Sequence, residues 1–541
     1  MKLMVLERSW GRRSLVSAGI WLGSLLVAGG CRAEPPGPQA PAQSQRSSLH
    51  WSVPLVPEVQ SRDPVLWVAL AAHLRPPEPL RLTSAQGNLT LVTSTGRRIS
   101  APGLVLRWRM LPLAEPLQIS RQVLGPFASF ETAETAANSW RQQGAQAVVA
   151  HPGEWEVWAP LGSPLPTAGK PRLWQELQRQ RPVLVLAPPP AAGGGANSIA
   201  NSVANSVLEG PLHIDAPGGL RWKGGVYAGP FRLQGDAYGS WSLVEQVPLE
   251  RYLLGVVPHE IGAGAPAAAL EAQAVLARTW AVRNQGRFAV DGYHLCADTQ
   301  CQVYGDPRGA GAAVKQAVVA TQSRVLSWAG QPIHAVYHAS NGGVSAGFEE
   351  AWGGAGLPYL KPAIDGPSSG LQTLVGRFPL PLGATVHDFL AHGGAAYGAD
   401  HSRFRWTRSL DAGQIAKAVA AQAPQLGQPQ QVVVLRRGAS GRVLALKIVG
   451  EGGDVVLHLD AIRRTLRPLP STLFVVQKVA PGQWLFEGGG FGHGAGLSQA
   501  GAMDLARRGW GLQQILQHYY PGTSLQPLAG LQPPVPPAME P

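Results

Sequence analysis

VPLERYLLGVVPHE (residues 247–260), then a Gly/Ala loop, then PAAALEAQAVLARTWAVRN (266–284) is the stretch on which the reading of this chain turns. Proline favours the first helical position, so Pro266 opens a helix that runs to about Asn284. Glu260 therefore stands at a strand or turn end beside a helix start. Within the helix, Leu270, Ala274, Ala277 and Ala281 supply an apolar face. Glu271 and Arg278, seven apart, share another face, which aims Arg278 back toward Glu260. The surround GVVPHEIGAG is apolar and glycine-rich, a setting compatible with shielding a carboxyl and raising its pKa.

Upstream, the pattern is of short strands punctuated by Gly and Pro. VLWVAL (65–70), LRLTSA (80–85), NLTLVTS (88–94) and LVLRWRML (104–111) come first, and GPLHIDAPGG onward (210–246) reads as strands and hairpins. Between them ETAETAANSWRQQG carries a helical stripe of Ala133, Ala136, Ala137 and Trp140 ending near Gly144, before QAVVA and EWEVWAP return to strand pattern. The expected fold class is α+β, a β-rich core with a few helices around a cleft. Residues 187–210, with the repeat ANSI, ANSV, ANSV, read as a low-complexity loop, and 531–541 as a disordered tail.

The chain has 541 residues, 45% of them apolar, which is ample for a buried core. Lys plus Arg exceed Asp plus Glu by 45 to 33. That excess is either diffuse solubility charge or the mark of an anionic partner. Cell-wall polymers or a membrane surface fit better than nucleic acid, for which no zinc-finger or aromatic-basic motif is present. Residues 1–31 hold Arg8, Arg12 and Arg13, an apolar run from Leu15 to Ala28, and Gly29-Gly30-Cys31, the plan of an export signal. GRRSLV (11–16) resembles a twin-arginine signal and VAGGC (27–31) a lipobox, which makes Cys31 a lipidation candidate. The alternative is an uncleaved anchor. A Pro/Gln/Ser-rich tether is expected over 32–62, and an exported location follows, in the periplasm or on the outer face of the cytoplasmic membrane.

Further blocks carry chemistry. In AVYHASNGG, alternation puts Tyr337 and Ala339 on one strand face and His338 and Ser340 on the other, the second pair being expected to line the cleft. GGGFGHGAGLSQAGA has six glycines between Gly488 and Gly496, as a loop that approaches a ligand closely would. It lacks the Gly-Lys-Ser/Thr of a phosphate loop. Gly492, His493, Ser498 and Gln499 are its candidate ligand contacts. Ser340, His338 and Asp365 make a hydrolase triad only on paper, since no G-x-S-x-G is present. Cys296 and Cys301 read as a disulfide in an exported chain. The alternatives are free thiols or a zinc site with His294, for which four good ligands are not visible.

The stretch 247–284, together with CADTQCQVYGD (296–306), AVYHASNGGVSAGFEEAWGG…PYL (335–360) and GGGFGHGAGLSQAGAMDLARRGW…ILQHYYPGT (488–523), resembles the SpoIID/LytB family in four ordered blocks. The module around 114–170, with GPFAS before its helix, resembles a SPOR peptidoglycan-binding domain of β-α-β-β order. The family resemblance implies a SpoIID-like core made of 63–113 and 211–530, with the SPOR-like module as an insertion. It further implies a lytic transglycosylase that cleaves the MurNAc–GlcNAc β-1,4 bond of peptidoglycan glycan strands to a 1,6-anhydro end, with Glu260 as acid/base. Arg278, Tyr337, His338, Ser340, Gly492, His493, Ser498 and Gln499 are then the substrate-binding candidates, the last three through hydrogen bonds to sugar hydroxyl and acetamido groups. It implies no cofactor, apart from the zinc alternative. Partners are glycan strands, with or without prior loss of stem peptides, and a cell-wall amidase. The rival reading is a non-catalytic wall-binding protein or amidase enhancer. Two residues depart from the pattern: Glu271 stands where relatives carry Lys, and Gln300 where zinc-binding relatives carry His.

Overall fold

The computed structural model describes residues 47–187, 206–367 and 378–531. The export signal, Cys31, residues 188–205 of the low-complexity loop and the Pro-rich tail from 532 lie outside them. Among the described residues no helix is long and apolar enough to cross a membrane.

The architecture is α+β. One sheet runs, in spatial order, Val207–Leu208, Arg172–Leu186, Gly103–Phe127, Leu80–Ser84, Leu220–Trp222, Gly225–Tyr227. A second runs Leu295–Cys296, Val65–Leu74, Trp241–Pro248, Phe231–Gly235, Leu212–Asp215, Leu89–Val92, Arg98–Ala101. Alternation is clear in Leu80–Ser84, Leu89–Val92 and Leu212–Asp215, whereas Leu66–Leu70 and Trp241–Glu245 are buried at every position. In LRLTS, Leu80, Leu82 and Ser84 are buried while Arg81 and Thr83 are exposed, as one wet and one dry face require. Leucines of the two sheets, among them Leu66, Leu82, Leu106 and Leu243, meet in one core.

The helix Ala267–Arg283 also crosses that core. Its expected apolar face is buried, but so are Gln273, Arg278 and Thr279. Its many alanines let strands and helices pack on every side, so no wet stripe remains. Ahead of it, LERYLLGVV is not strand but the helix Leu249–Val257. Its apolar residues Leu249, Tyr252, Leu253, Val256 and Val257 recur at helical spacing. Glu260 thus sits between two helices, in the wide turn Pro258–Gly262.

The module at 114–170 has a strand, the helix Phe130–Arg141, and the strands Val148–Ala150 and Trp155–Ala159. Ser129 caps the helix by accepting the Thr132 N–H, and Ala133, Ala137 and Trp140 are its buried stripe. The boundary at 113/114 is no break, because the strand Gly103–Phe127 runs through it, paired with Arg172–Leu186. Trp140 and Trp155 share a core with Trp67, Val244 and Phe288 of the main body. The expected tether is also shorter than 32–62. Val59 is buried, its N–H held by the Gln285 side chain at 2.7 Å, so at least this end of the stretch is laid on the body. Within 211–530, strands and helices between Arg405 and Gly489 gather a separate core around Leu446, Trp484 and Phe486.

Candidate functional site

Glu260 is half-buried. Burial pushes its carboxyl up to about 7, and the one hydrogen bond it accepts, from the Val303 N–H to Oε1 at 2.9 Å, pulls the other way. Desolvation dominates, because one backbone donor returns only part of what water gave the charged form. Two phenols, of buried Tyr252 and half-buried Tyr337, feel the Glu260 charge, which adds to the upward push of burial on each. Gln302 ties them together: its Nε2 donates to the Tyr337 hydroxyl at 2.8 Å, and its Oε1 accepts from Tyr252 at 3.1 Å.

Gln302 and Val303 belong to a loop fixed at almost every residue. A disulfide joins Cys296 to Cys301, with Cα atoms 5.7 Å apart. Gln300 accepts from Trp155 Nε1 at 3.1 Å, Tyr304 donates to Glu245 at 2.9 Å, and the Gly305 N–H reaches the Gly255 carbonyl at 3.0 Å. The loop therefore presents the Val303 N–H to Glu260 from a rigid frame.

The raised carboxyl has a consequence for stability. A carboxyl whose folded pKa lies above its unfolded value contributes stability that is fully present below the unfolded value, near 4.5, and is lost as pH rises through about 7. Glu260→Gln removes that titration and keeps an oxygen for Val303. The variant is expected to match the wild type in urea unfolding below pH 4.5 and to exceed it above pH 7. Equal pH dependence of the two proteins would contradict the raised value.

Arg278 does not reach this site. Its side chain is 0% exposed. Nε and Nη2 grip both oxygens of Glu250 at 2.8 and 2.7 Å, and Nη1 donates to the Arg324 carbonyl at 3.1 Å. Face arithmetic along one helix could not see Glu250, which opens the preceding helix. The guanidinium joins those helices to the strand Arg324–Trp328.

The strand Tyr337–His338 pairs in parallel with Leu497–Ser498, which brings the glycine-rich block against Tyr337. The alternation is as expected, with the faces exchanged. Tyr337 is the residue near Glu260, while His338 and Ser340 turn inward, 6% and 2% exposed. His338 Nδ1 meets the Ala495 carbonyl at 3.1 Å, and its Nε2 has no partner among the described residues. Ser340 Oγ accepts the Gly342 N–H.

Residues 237–328 match the family model described as stage II sporulation protein (SpoIID), and 346–496 match a domain of unknown function, DUF8618. The chain is 28% identical to stage II sporulation protein D of Bacillus subtilis over 52% of its own length and 75% of that protein. It is 27% identical to the amidase enhancer of Bacillus subtilis, over 50% of its length and 40% of that protein. A similar likeness, 27% over 52% of this chain and 68% of the relative, links it to an uncharacterized protein of Brachyspira hyodysenteriae.

Over residues 237–328 the chain is similar to the SpoIID family.

The glycine-rich block is a joint between segments of the protein itself. A Cβ on Gly492, whose φ is +112°, would lie 2.7 Å from that of His338, and one on Gly496 would lie 2.0 Å from the Val336 carbonyl. The glycines therefore admit the protein's own chain, where a ligand was expected. His493 donates from Nε2 to the Tyr337 carbonyl at 2.9 Å and accepts the Ala495 N–H on Nδ1 at 3.2 Å. Burial lowers its pKa to about 4, so it is neutral and fully used. Ser498 caps the helix Gln499–Arg507, and Gln499 bonds Gln273 at 3.2 Å. These four positions set the Tyr337 strand in place, where sugar contacts were expected of them.

The zinc alternative does not fit the donors. His294 accepts the Trp67 N–H on Nδ1 at 2.8 Å and donates from Nε2 to the Pro57 carbonyl at 2.7 Å, while both cysteines are in the disulfide. Asp365 is likewise committed elsewhere. It accepts from Asn341, His518 and Tyr519 at 2.7, 2.8 and 3.1 Å, and belongs to no triad with Ser340. Sequence reasoning passed over Tyr252, Gln302 and Val303. The block 296–306 pointed to the right loop, but a backbone N–H donor leaves no side-chain signature.

Proposed function

We propose that this chain is a peptidoglycan lytic transglycosylase in which Glu260 serves as acid and then as base. The observation that carries the reading is one half-buried carboxyl poised near pH 7, with no second carboxylate and no cation among the groups that shift it. Water-activating glycosidases use two carboxyls. A transglycosylase needs one, because the sugar supplies its own nucleophile. Protonated Glu260 gives its proton to the glycosidic oxygen as the C1–O bond of MurNAc breaks. The resulting carboxylate takes the proton of the C6 hydroxyl as O6 bonds to C1, which closes the 1,6-anhydro ring and restores the acid. A pKa near the working pH serves both steps. Tyr337, fixed by Gln302, is the polar group placed to orient the sugar beside Glu260.

In this reading the protein is exported and works at the cell wall, the relatives' names supporting a wall-related role, and the SPOR-like module is a second glycan contact. The test is incubation of purified protein with peptide-free glycan strands. Soluble anhydro-ended fragments are expected, and glycan binding without fragments would sink the reading. That second outcome would favour a binding-only role beside a cell-wall amidase, to which the likeness to the amidase enhancer points.

A further inference from the structure

Strand register places an unusual charge distribution on the first sheet. Arg221 lies opposite Thr83, Arg81 opposite Val105, and Leu111 opposite Arg181. Directly opposed residues share a face, as do alternate residues along a strand. Arg221, Arg81, Arg107, Arg109 and Arg181 therefore project from the same face, across four adjacent strands. The other face carries Leu82, Leu106, Leu184 and Leu220 of the core.

All five arginines are exposed. Among the described residues none of them enters a salt bridge. Arg221 alone makes a side-chain hydrogen bond, a long one to the Ala85 carbonyl. No Asp or Glu occupies this face within 81–83, 103–111 or 181–185. Strands about 4.8 Å apart make the basic stripe about 15 Å wide. Like charges at neighbouring cross-strand positions are unfavourable, so the bare stripe gains by meeting anions. Arginine forks match phosphate oxygens in particular.

Farther along the strand Arg172–Leu186 the same face continues through Arg179 to Leu177 and Leu173, which are 40% and 63% exposed. Val183 and Val185 of the same face are buried beside the arginines, and arginines followed by exposed leucines along one strand suit a planar amphipathic surface. A soluble polyanion would leave the leucines unused. We propose that this face docks on an anionic lipid bilayer, with the arginines on headgroup phosphates and Leu173 and Leu177 at the acyl boundary. The inference stands apart from the glycan chemistry at Glu260.

The test is co-sedimentation of the full chain with vesicles of phosphatidylcholine alone and of phosphatidylcholine mixed with phosphatidylglycerol. The readout is the preference for the anionic vesicles, compared between variants, so that any contribution from residues 1–46 is common to all and cancels. Changing Arg81, Arg107, Arg109 and Arg181 together to Gln is expected to lower that preference by about 10²- to 10³-fold at low salt. Changing the same four to Lys should keep most of it, and Leu173→Ser with Leu177→Ser should weaken binding to both vesicle types. Unaltered melting by circular dichroism shows that the variants fold. An unchanged preference in the Gln variant would overturn the proposal. So would binding of inorganic polyphosphate through these arginines with no preference for anionic vesicles, which would assign the face to a soluble polyanion.

Discussion

Glu260→Gln is expected to lower glycan-strand cleavage by about 10²- to 10⁴-fold, the range for loss of a positioned general acid/base, while glycan binding and folding persist. Gln keeps the shape of Glu and an oxygen for the Val303 N–H, which is 2.9 Å away, so the loop that frames the site has no reason to move. What disappears is the proton. In the wild type, cleavage should fall as pH rises through about 7, because ionisation of Glu260 removes the acid that the leaving oxygen needs. The residual activity of the variant should lack that limb. Steady-state rates on peptide-free strands across pH check both statements, and an undiminished rate in the variant would remove Glu260 from the chemistry.

Arg278→Ala is expected to act on stability, at a cost of about 3 kcal/mol. The guanidinium is wholly buried, and its removal strands Glu250 without its two-pronged partner. Breaking a buried pair from one side typically costs about 3–5 kcal/mol. The lower end applies because the Glu250 side chain is 27% exposed and water recovers part of the loss. Urea unfolding measures the effect. If Arg278 held substrate, the unfolding curve would stay in place and KM for glycan would rise.

The contrast between Glu260 and Arg278 shows what the sequence can carry. Alternation in LRLTS and the run after Pro266 made the strands and the long helix legible, because each periodicity maps to a buried face. LERYLLGVV was harder, since an apolar run this short fits strand or helix until its neighbours are known. The separate core around Trp484 went unseen because its strands look like any others in a β-rich chain. At the site, Glu260 was legible from its apolar, glycine-rich turn. Tyr337 and His338 were placed on opposite faces correctly, but period two does not say which face is wet. Arg278 was misplaced because its partner is Glu250, on another helix. Gln302 and Val303 were missed because one works through an amide held between two tyrosines and the other through its backbone.

The central claim, one carboxyl with the sugar as its own nucleophile, is tested most directly by digesting peptide-free glycan strands in heavy-oxygen water and weighing the new MurNAc ends. The expected ends are one water lighter than hydrolysis would leave, with no heavy oxygen incorporated and no such product from Glu260→Gln. Reducing ends that carry heavy oxygen would contradict it, since water would then be the nucleophile and a second carboxyl would be required.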